Sequence, residues 1–111
     1  MIYRRYTAEE LQALFRAIDG HLEAQAELII IGGAAALLAY HATNTTHDID
    51  VLNDIHAVEA AYNEAKKETG LDIPLSMAGV AQVPYNYHER LTKYEELLLR
   101  NLVIRIPMFT I

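Results

Sequence analysis

The first clear pattern in the chain is an apolar stripe close to its start. Five apolar residues recur at intervals of three and four, the spacing that places side chains on one face of a helix. They are Leu11, Leu14, Phe15, Ile18 and Leu22. Thr7 and Glu10 have the spacing of a capping box, in which each side chain satisfies a free backbone amide at a helix start. The pattern predicts a helix over residues 8–24 that covers a core.

A short apolar run and a glycine pair follow this helix. Residues 28–31 read Leu-Ile-Ile-Ile, a branched run typical of a strand buried on both faces, and we expect that strand, at 27–31, to be central in a sheet. Gly32 and Gly33 end it. The alanine- and leucine-rich segment that follows has strong helix propensity and small side chains that allow close packing, which predicts a helix over residues 33–41.

The next segment alternates in the period-two manner of a strand. After a polar loop at 43–47, the sequence Asp-Ile-Asp-Val-Leu predicts a strand over residues 48–52, with Asp48 and Asp50 on one face. Asn53 or Asp54 can cap a further helix over residues 55–69, which is amphipathic and is followed by Gly70.

The last third of the chain has a weaker pattern. Residues 71–87 read as a loop with a short strand at 80–83, and the spacing of apolar residues over 88–100 favours a helix. A strand is predicted at 102–106. Together these elements predict an α/β (α+β) fold, a mixed β-sheet flanked by helices, in one domain over residues 1–111.

Composition and charge narrow the classes of function. The chain has no cysteine, which excludes disulfides, thiolate zinc sites and a cysteine nucleophile, so any metal must be held by oxygen or imidazole. The formal net charge of -6 is the wrong sign for gripping duplex DNA through its phosphates. The longest apolar run, residues 28–39, is too short to span a membrane, and the first residues do not resemble a signal peptide. We therefore expect a cytoplasmic protein.

The segment from Leu28 to Leu52 carries the candidate chemistry. A glycine pair lets backbone approach a ligand closely, and the helix behind it turns free amides toward an anion, which suits a triphosphate at Gly32 and Gly33. Carboxylates two residues apart on a strand point the same way and can share hard divalent cations. Asp48 and Asp50 are thus candidate magnesium ligands, in the manner of a two-metal site for phosphoryl or nucleotidyl transfer.

These residues also carry a resemblance to a known superfamily. Ile31-Gly32-Gly33, a helix, and then Asp48-Ile49-Asp50-Val51 resemble the pattern of the nucleotidyltransferases of DNA polymerase beta type. Within that superfamily the chain resembles small bacterial nucleotidyltransferase-like proteins, similar to those of abortive-infection and toxin–antitoxin systems. An N-terminal helix before the glycine-pair strand and the later stretch 81–91 are part of this resemblance, which covers most of the chain.

The resemblance implies a minimal nucleotidyltransferase fold and a metal-dependent reaction. A nucleoside monophosphate would pass from a nucleoside triphosphate to a hydroxyl on an RNA end or a protein, with Asp48 and Asp50 binding magnesium, Gly32 and Gly33 receiving the triphosphate and Thr46 assisting. Active members place a third carboxylate on a later strand. The predicted strand at 102–106 has no acid, and Asp72 and Glu89 are the nearest alternatives. Activity is therefore left open at this point.

The same residues allow other functional interpretations, some of which stay open while others match the sequence less well. Asp50 lies eighteen residues after Gly32, near the place of a ribose-binding acid in a dinucleotide fold, but the further glycines of that motif are absent. No Gly-Lys-Ser/Thr follows the turn, which excludes a P-loop. His41 and His47 could add nitrogen ligands beside Asp48 for zinc or manganese. Thr46 could contact a phosphate or simply satisfy the turn before the strand.

A non-catalytic role is the second hypothesis for function. A degenerate or truncated copy of the nucleotidyltransferase fold could act as a protein-interaction module of the antitoxin kind. Residues 107–111, Pro-Met-Phe-Thr-Ile, form an apolar end that would dock on a cognate partner or on a second copy as a homodimer. The apolar segment 107–111 would also be explained if the sequence stopped before the fold was complete.

Overall fold

Three helices form where the sequence predicts them. The computed structural model of the protein describes residues 4–41, 45–78 and 91–107, with helices α1 (Ala8–His21), α2 (Gly32–Tyr40) and α3 (His56–Thr69). The capping box is present at the start of α1: Glu10 N donates to Thr7 Oγ1, and Thr7 N donates to the Glu10 carboxylate. No helix among these three ranges is both long and apolar enough to cross a membrane.

The described ranges contain seven strands, which form two sheets. They are β1 (Tyr6–Thr7), β2 (Ala26–Ile31), β3 (Thr45–Thr46), β4 (Ile49–Val51), β5 (Leu75–Met77), β6 (Leu91–Lys93) and β7 (Leu102–Pro107). β1 and β3 pair as a small antiparallel sheet, and the other five form one sheet in the order β5-β4-β2-β7-β6. β2 is central, as predicted.

The five-stranded sheet is mixed. β2 pairs antiparallel with β4 and parallel with β7, while β4 pairs parallel with β5 and β7 pairs antiparallel with β6. The predicted mixed sheet with helices packed on it is therefore confirmed. Because β2 lies between β4 and β7, those two strands are not neighbours.

The helices cover the face of the sheet that carries Leu28 and Ile30. All three helices contribute to one apolar core with these residues, and Leu11, Leu14, Phe15 and Ile18 of α1 are fully buried in it. Because successive strand residues point to opposite faces, Ile29 and Ile31 lie on the other face, in a smaller cluster with Leu52. The predicted burial of the central strand on both faces is confirmed.

The helix predicted over 88–100 is wrong for the part that the structure describes. Residues 91–93 are strand β6, and residues 94–101 are irregular. Tyr94 N donates to the carbonyl oxygen of Ile104, which extends the pairing with β7. Tyr94 and Leu97 are buried, so the apolar spacing reflects contact with the core without a helix. Pairing with β7 overrides the local propensity.

Asp19 in α1 holds the end of this irregular segment. Its carboxylate is buried and accepts the backbone amides of Arg100, Asn101 and Leu102. The Asn101 side chain in turn donates to the carbonyl of Leu22, so α1 ends at His21 rather than at 24.

The two residues proposed to cap the third helix have different roles. Asp54 Oδ1 accepts the amide of His56 at 2.8 Å, at the start of α3. Asn53 instead binds the backbone of β2, accepting from Ile29 N at 2.8 Å and donating to the carbonyl of Glu27 at 2.6 Å. The predicted strand at 80–83, most of the stretch 81–91 and residues 108–111 lie outside the described residues.

Candidate functional site

Gly32 lies directly beside Asp50. The β2–β4 register sets Ile31 opposite Asp50, and the chain then turns into α2 through Gly32, whose φ is +71°. A Cβ built on Gly32 would lie 3.4 Å from Asp50 Oδ2. The left-handed backbone explains why the residue is a glycine. The fold thus brings the turn next to a carboxylate that lies eighteen residues later in the chain.

Gly33 lies beside Thr46 in the same way. A Cβ on Gly33 would be 3.0 Å from Thr46 Oγ1, tighter than side chains normally allow. Thr46 is buried, and its hydroxyl donates to the carbonyl of Asp48 at 3.2 Å. β3 is itself held by β1, with Tyr6 opposite Thr46. Thr46 therefore satisfies the turn before β4 and sets the position of Asp48.

The two aspartates form a half-buried acidic pair. Asp50 lies in β4 and Asp48 just before it, and both are partly exposed. Burial raises the pKa of Asp50 above its ordinary value of 3.8, and the Asp48 carboxylate raises it further. A cation between them would relieve both the burial cost and the repulsion. Carboxylate oxygens on a rigid strand are the ligands that magnesium prefers.

The third carboxylate is not among the described residues. Over residues 4–41, 45–78 and 91–107 there is no group of three acidic, histidine or cysteine side chains that could hold a metal. Asp72 is highly exposed and its carboxylate lies 3.6 Å from Lys66 Nζ, and it forms no such group with Asp48 and Asp50. Glu89 lies outside the described residues.

The topology explains why the predicted last strand cannot supply this acid. β7 is separated from β4 by β2, and the neighbours of Asp50 in the register are Ile31 on β2 and Ser76 on β5. Ser76 shares a face with Asp50 because paired positions of neighbouring strands point the same way. Sequence reasoning missed Ser76, since no pattern identified β5.

The histidine alternative gains no support from the described residues. His41 is exposed and ends α2 in the left-handed conformation, with a φ of 52°. His47 Nε2 lies 2.8 Å from Arg5 Nη1. Because a guanidinium only donates hydrogen bonds, Nε2 is the acceptor in this contact.

Arg5 is a second residue that sequence reasoning missed. Its Nε donates to Thr45 Oγ1 at 2.6 Å, and its Nη2 reaches the carbonyl of Thr45 at 3.4 Å. The contacts place a permanent positive charge on the segment just before Asp48. Forty residues separate Arg5 from Thr45, and only the pairing of β1 with β3 brings them together.

Comparison with protein families gives a match over most of the chain. Residues 9–106 match the family described as nucleotidyltransferase of unknown function (DUF6036). The chain belongs to this family. The match spans α1 through nearly all of β7, so the nucleotidyltransferase-like domain includes the glycine turn and both aspartates. No curated protein and no solved structure matches the chain.

Proposed function

We propose that this nucleotidyltransferase-like domain binds a nucleoside triphosphate with magnesium and transfers the nucleoside monophosphate to a hydroxyl of an RNA end or a protein. A toxin–antitoxin or phage-defence system is the proposed setting. One observation carries the proposal: Gly32 and Gly33 lie against Asp50 and Thr46, so the start of a helix borders a pair of carboxylates.

Asp48 and Asp50 are the proposed metal ligands, and their environment suits a divalent cation. They are partly buried acids with oxygen donors, and the raised pKa of Asp50 reflects burial and the adjacent Asp48 carboxylate. Magnesium, when bound, would neutralise charge on the phosphates and on the attacking and leaving oxygens. Gly32 and Gly33 would receive the triphosphate through backbone amides at the start of α2, and Thr46 would hold Asp48 in place.

The proposed reaction breaks one phosphoanhydride bond. The acceptor hydroxyl attacks the α-phosphorus, a phosphodiester forms, pyrophosphate leaves, and the hydroxyl proton passes to a carboxylate or to water. The net charge of -6 favours a protein or a short RNA end over duplex DNA as acceptor.

Calorimetry with Asp48→Asn and Asp50→Asn tests the metal and nucleotide site. Wild-type protein is expected to bind ATP, CTP, GTP or UTP only with magnesium, and each variant to lose at least about tenfold in affinity. Glu23→Gln, which removes one exposed acid outside the site, is the matched control. In EDTA, Asp50→Asn should melt above wild type because it removes a carboxylate disfavoured by burial and by Asp48. Unchanged magnesium-dependent binding in both variants would refute the site.

Transfer is tested with an α-labelled triphosphate and candidate RNA and protein acceptors. Label should appear on an acceptor with wild-type protein and not with the Asp48 or Asp50 variants. Glu89→Gln decides whether that residue supplies the third carboxylate: retained nucleotide binding with lost transfer is expected if it does. Binding without any transfer in wild type would leave a nucleotide-binding protein that is not an enzyme.

A non-catalytic interaction module is the second candidate function. It is favoured by the lack of a third acidic side chain beside Asp48 and Asp50 in the described ranges. In that case the protein binds no nucleotide, and Asp48→Asn leaves its behaviour unchanged. Analytical ultracentrifugation over a range of concentrations tests the self-association that the apolar residues 107–111 predict. A strictly monomeric species would contradict a homodimer.

A further inference from the structure

An apolar pocket opens beside the glycine turn, on α2 and the ends of two parallel strands. Its volume is about 430 Å³, within the range of small-molecule pockets. It is lined by residues with apolar or aromatic side chains and by one glycine: Ile31, Gly32, Ala35, Ala36, Tyr40, Ile106 and Pro107. Among the described residues, no charged side chain lines it.

The topology explains why a pocket forms at this place. β2 and β7 are parallel, so their carboxyl ends, at Ile31 and Pro107, meet at one edge of the sheet. The chain leaves β2 for α2 through Gly32, and the small side chains of Ala35 and Ala36 leave space between the helix and the strand ends. In open sheets with parallel strands, ligands bind in the crevice outside these carboxyl ends.

Gly32 joins this pocket to the acidic pair. The residue lines the pocket, and a Cβ on it would lie 3.4 Å from Asp50 Oδ2. A ligand with a charged part at the aspartates and a flat apolar part at the pocket would match both regions. A nucleoside triphosphate has this division between its phosphates and its base.

We propose that the pocket binds the base of the nucleotide, an inference that rests on the proposed function. Tyr40, a residue that is about half exposed, provides an aromatic surface for stacking. Because the described residues of the lining offer few polar side-chain groups to read a base edge, recognition is by stacking and buried area. The site therefore accepts both purines with affinities within about threefold and binds pyrimidine nucleotides several-fold more weakly.

The experiment compares ATP with inorganic tripolyphosphate, which carries the phosphates without a base, in the presence of magnesium. Tyr40→Ala and the pocket-filling Ala36→Leu should each weaken ATP about tenfold or more and leave tripolyphosphate within about twofold. Ala39→Leu is the matched control, because Ala39 lies on α2 but lines a separate depression with residues 92–96. It should change neither affinity.

The outcomes separate this inference from the proposed function. Suppose that wild-type protein binds both tripolyphosphate and ATP with magnesium, and that both pocket variants keep the wild-type ATP affinity. The base then does not occupy the pocket, so this inference is wrong while the proposed function stands. An acceptor or another partner in the pocket would give that same result. If wild-type protein binds neither compound, the proposed function is wrong and the inference falls with it.

Discussion

Gly33 and Thr46 pack so closely that a single methyl group on Gly33 would reach within 3.0 Å of the Thr46 hydroxyl oxygen. Thr46 also donates that hydroxyl to the carbonyl of Asp48. The glycine turn, the threonine and the acidic pair are thus one packed unit, and a change at Gly33 is transmitted to the aspartates through Thr46.

Gly33→Ala is expected to lower the free energy of unfolding by about 1–2 kcal/mol relative to Gly20→Ala, because Thr46 must shift to admit the methyl group. Gly20 is the matched control: each glycine lies one residue from a helix end, and a Cβ on Gly20 meets nothing within 4 Å. Urea unfolding measures both. Adding Thr46→Ala should restore most of the free energy of unfolding that Gly33→Ala loses. A double-mutant cycle that shows no coupling energy between Gly33 and Thr46 would contradict the contact.

Gly32→Ala is expected to weaken magnesium-dependent ATP binding at least about tenfold, since the added methyl would cover the oxygen of Asp50 that faces the turn. Gly70→Ala is its control. The two glycines have φ values of +71° and +73°, but nothing lies within 4 Å of a Cβ on Gly70. Both variants should lose about 1–2 kcal/mol of stability to the left-handed backbone. If calorimetry gives Gly32→Ala and Gly70→Ala the same ATP affinity, Gly32 acts only through its backbone conformation.

Ser76→Asp is expected to add a third carboxylate beside Asp50, because the two positions are paired in the register of β4 and β5. Without metal the variant should melt below wild type, since it adds a like charge. Magnesium should then bind about tenfold more tightly and reverse the loss. Thermal melting in EDTA and in magnesium measures both effects. Ser76→Asn is the control, and identical behaviour of the two variants would mean that position 76 does not face the metal site.

Asp19→Asn is expected to cost about 2–3 kcal/mol at about pH 7, because the buried carboxylate accepts three backbone amides. Burial alone would raise the pKa of Asp19, but the amides of Leu102, Asn101 and Arg100 outweigh it and the pKa lies below the ordinary 3.8. Because the pKa is lower in the folded state, the stabilisation by Asp19 is complete above the ordinary pKa of 3.8. It is lost as the pH falls through the lower pKa of the folded state.

The pH dependence gives the check on Asp19. The free energies of unfolding of wild type and Asp19→Asn, measured in urea, should differ most near neutral pH and converge as the pH falls through the lowered pKa of folded Asp19. Glu23→Gln removes the same charge from an exposed position and should follow wild type throughout. A gap between wild type and Asp19→Asn that does not narrow in acid would mean that the carboxylate charge is not what holds residues 100–102.

Local patterns were sufficient for most of the elements. The capping box placed the start of α1, and the branched run of β2 indicated a strand buried on both sides because β-branched side chains favour strands and the run is apolar on both faces. The glycine pair and the two aspartates were identified as a unit by their order along the chain. The failure over 88–100 has a definite cause: the apolar spacing of Tyr94 and Leu97 fits a helix, but pairing with β7 and the amides held by Asp19 set an extended, irregular course.

From its sequence alone this protein shows its fold class, its central strand and the residues of a nucleotidyltransferase-like turn, because these depend on side-chain periodicity and on glycine and aspartate at short range. Only the tertiary structure decided what surrounds them. It set Gly32 against Asp50 and Gly33 against Thr46, brought Arg5 to Thr45, placed Ser76 beside Asp50 and kept β7 away from β4. Strand order and register join residues that are distant in the chain, and no local pattern encodes that pairing.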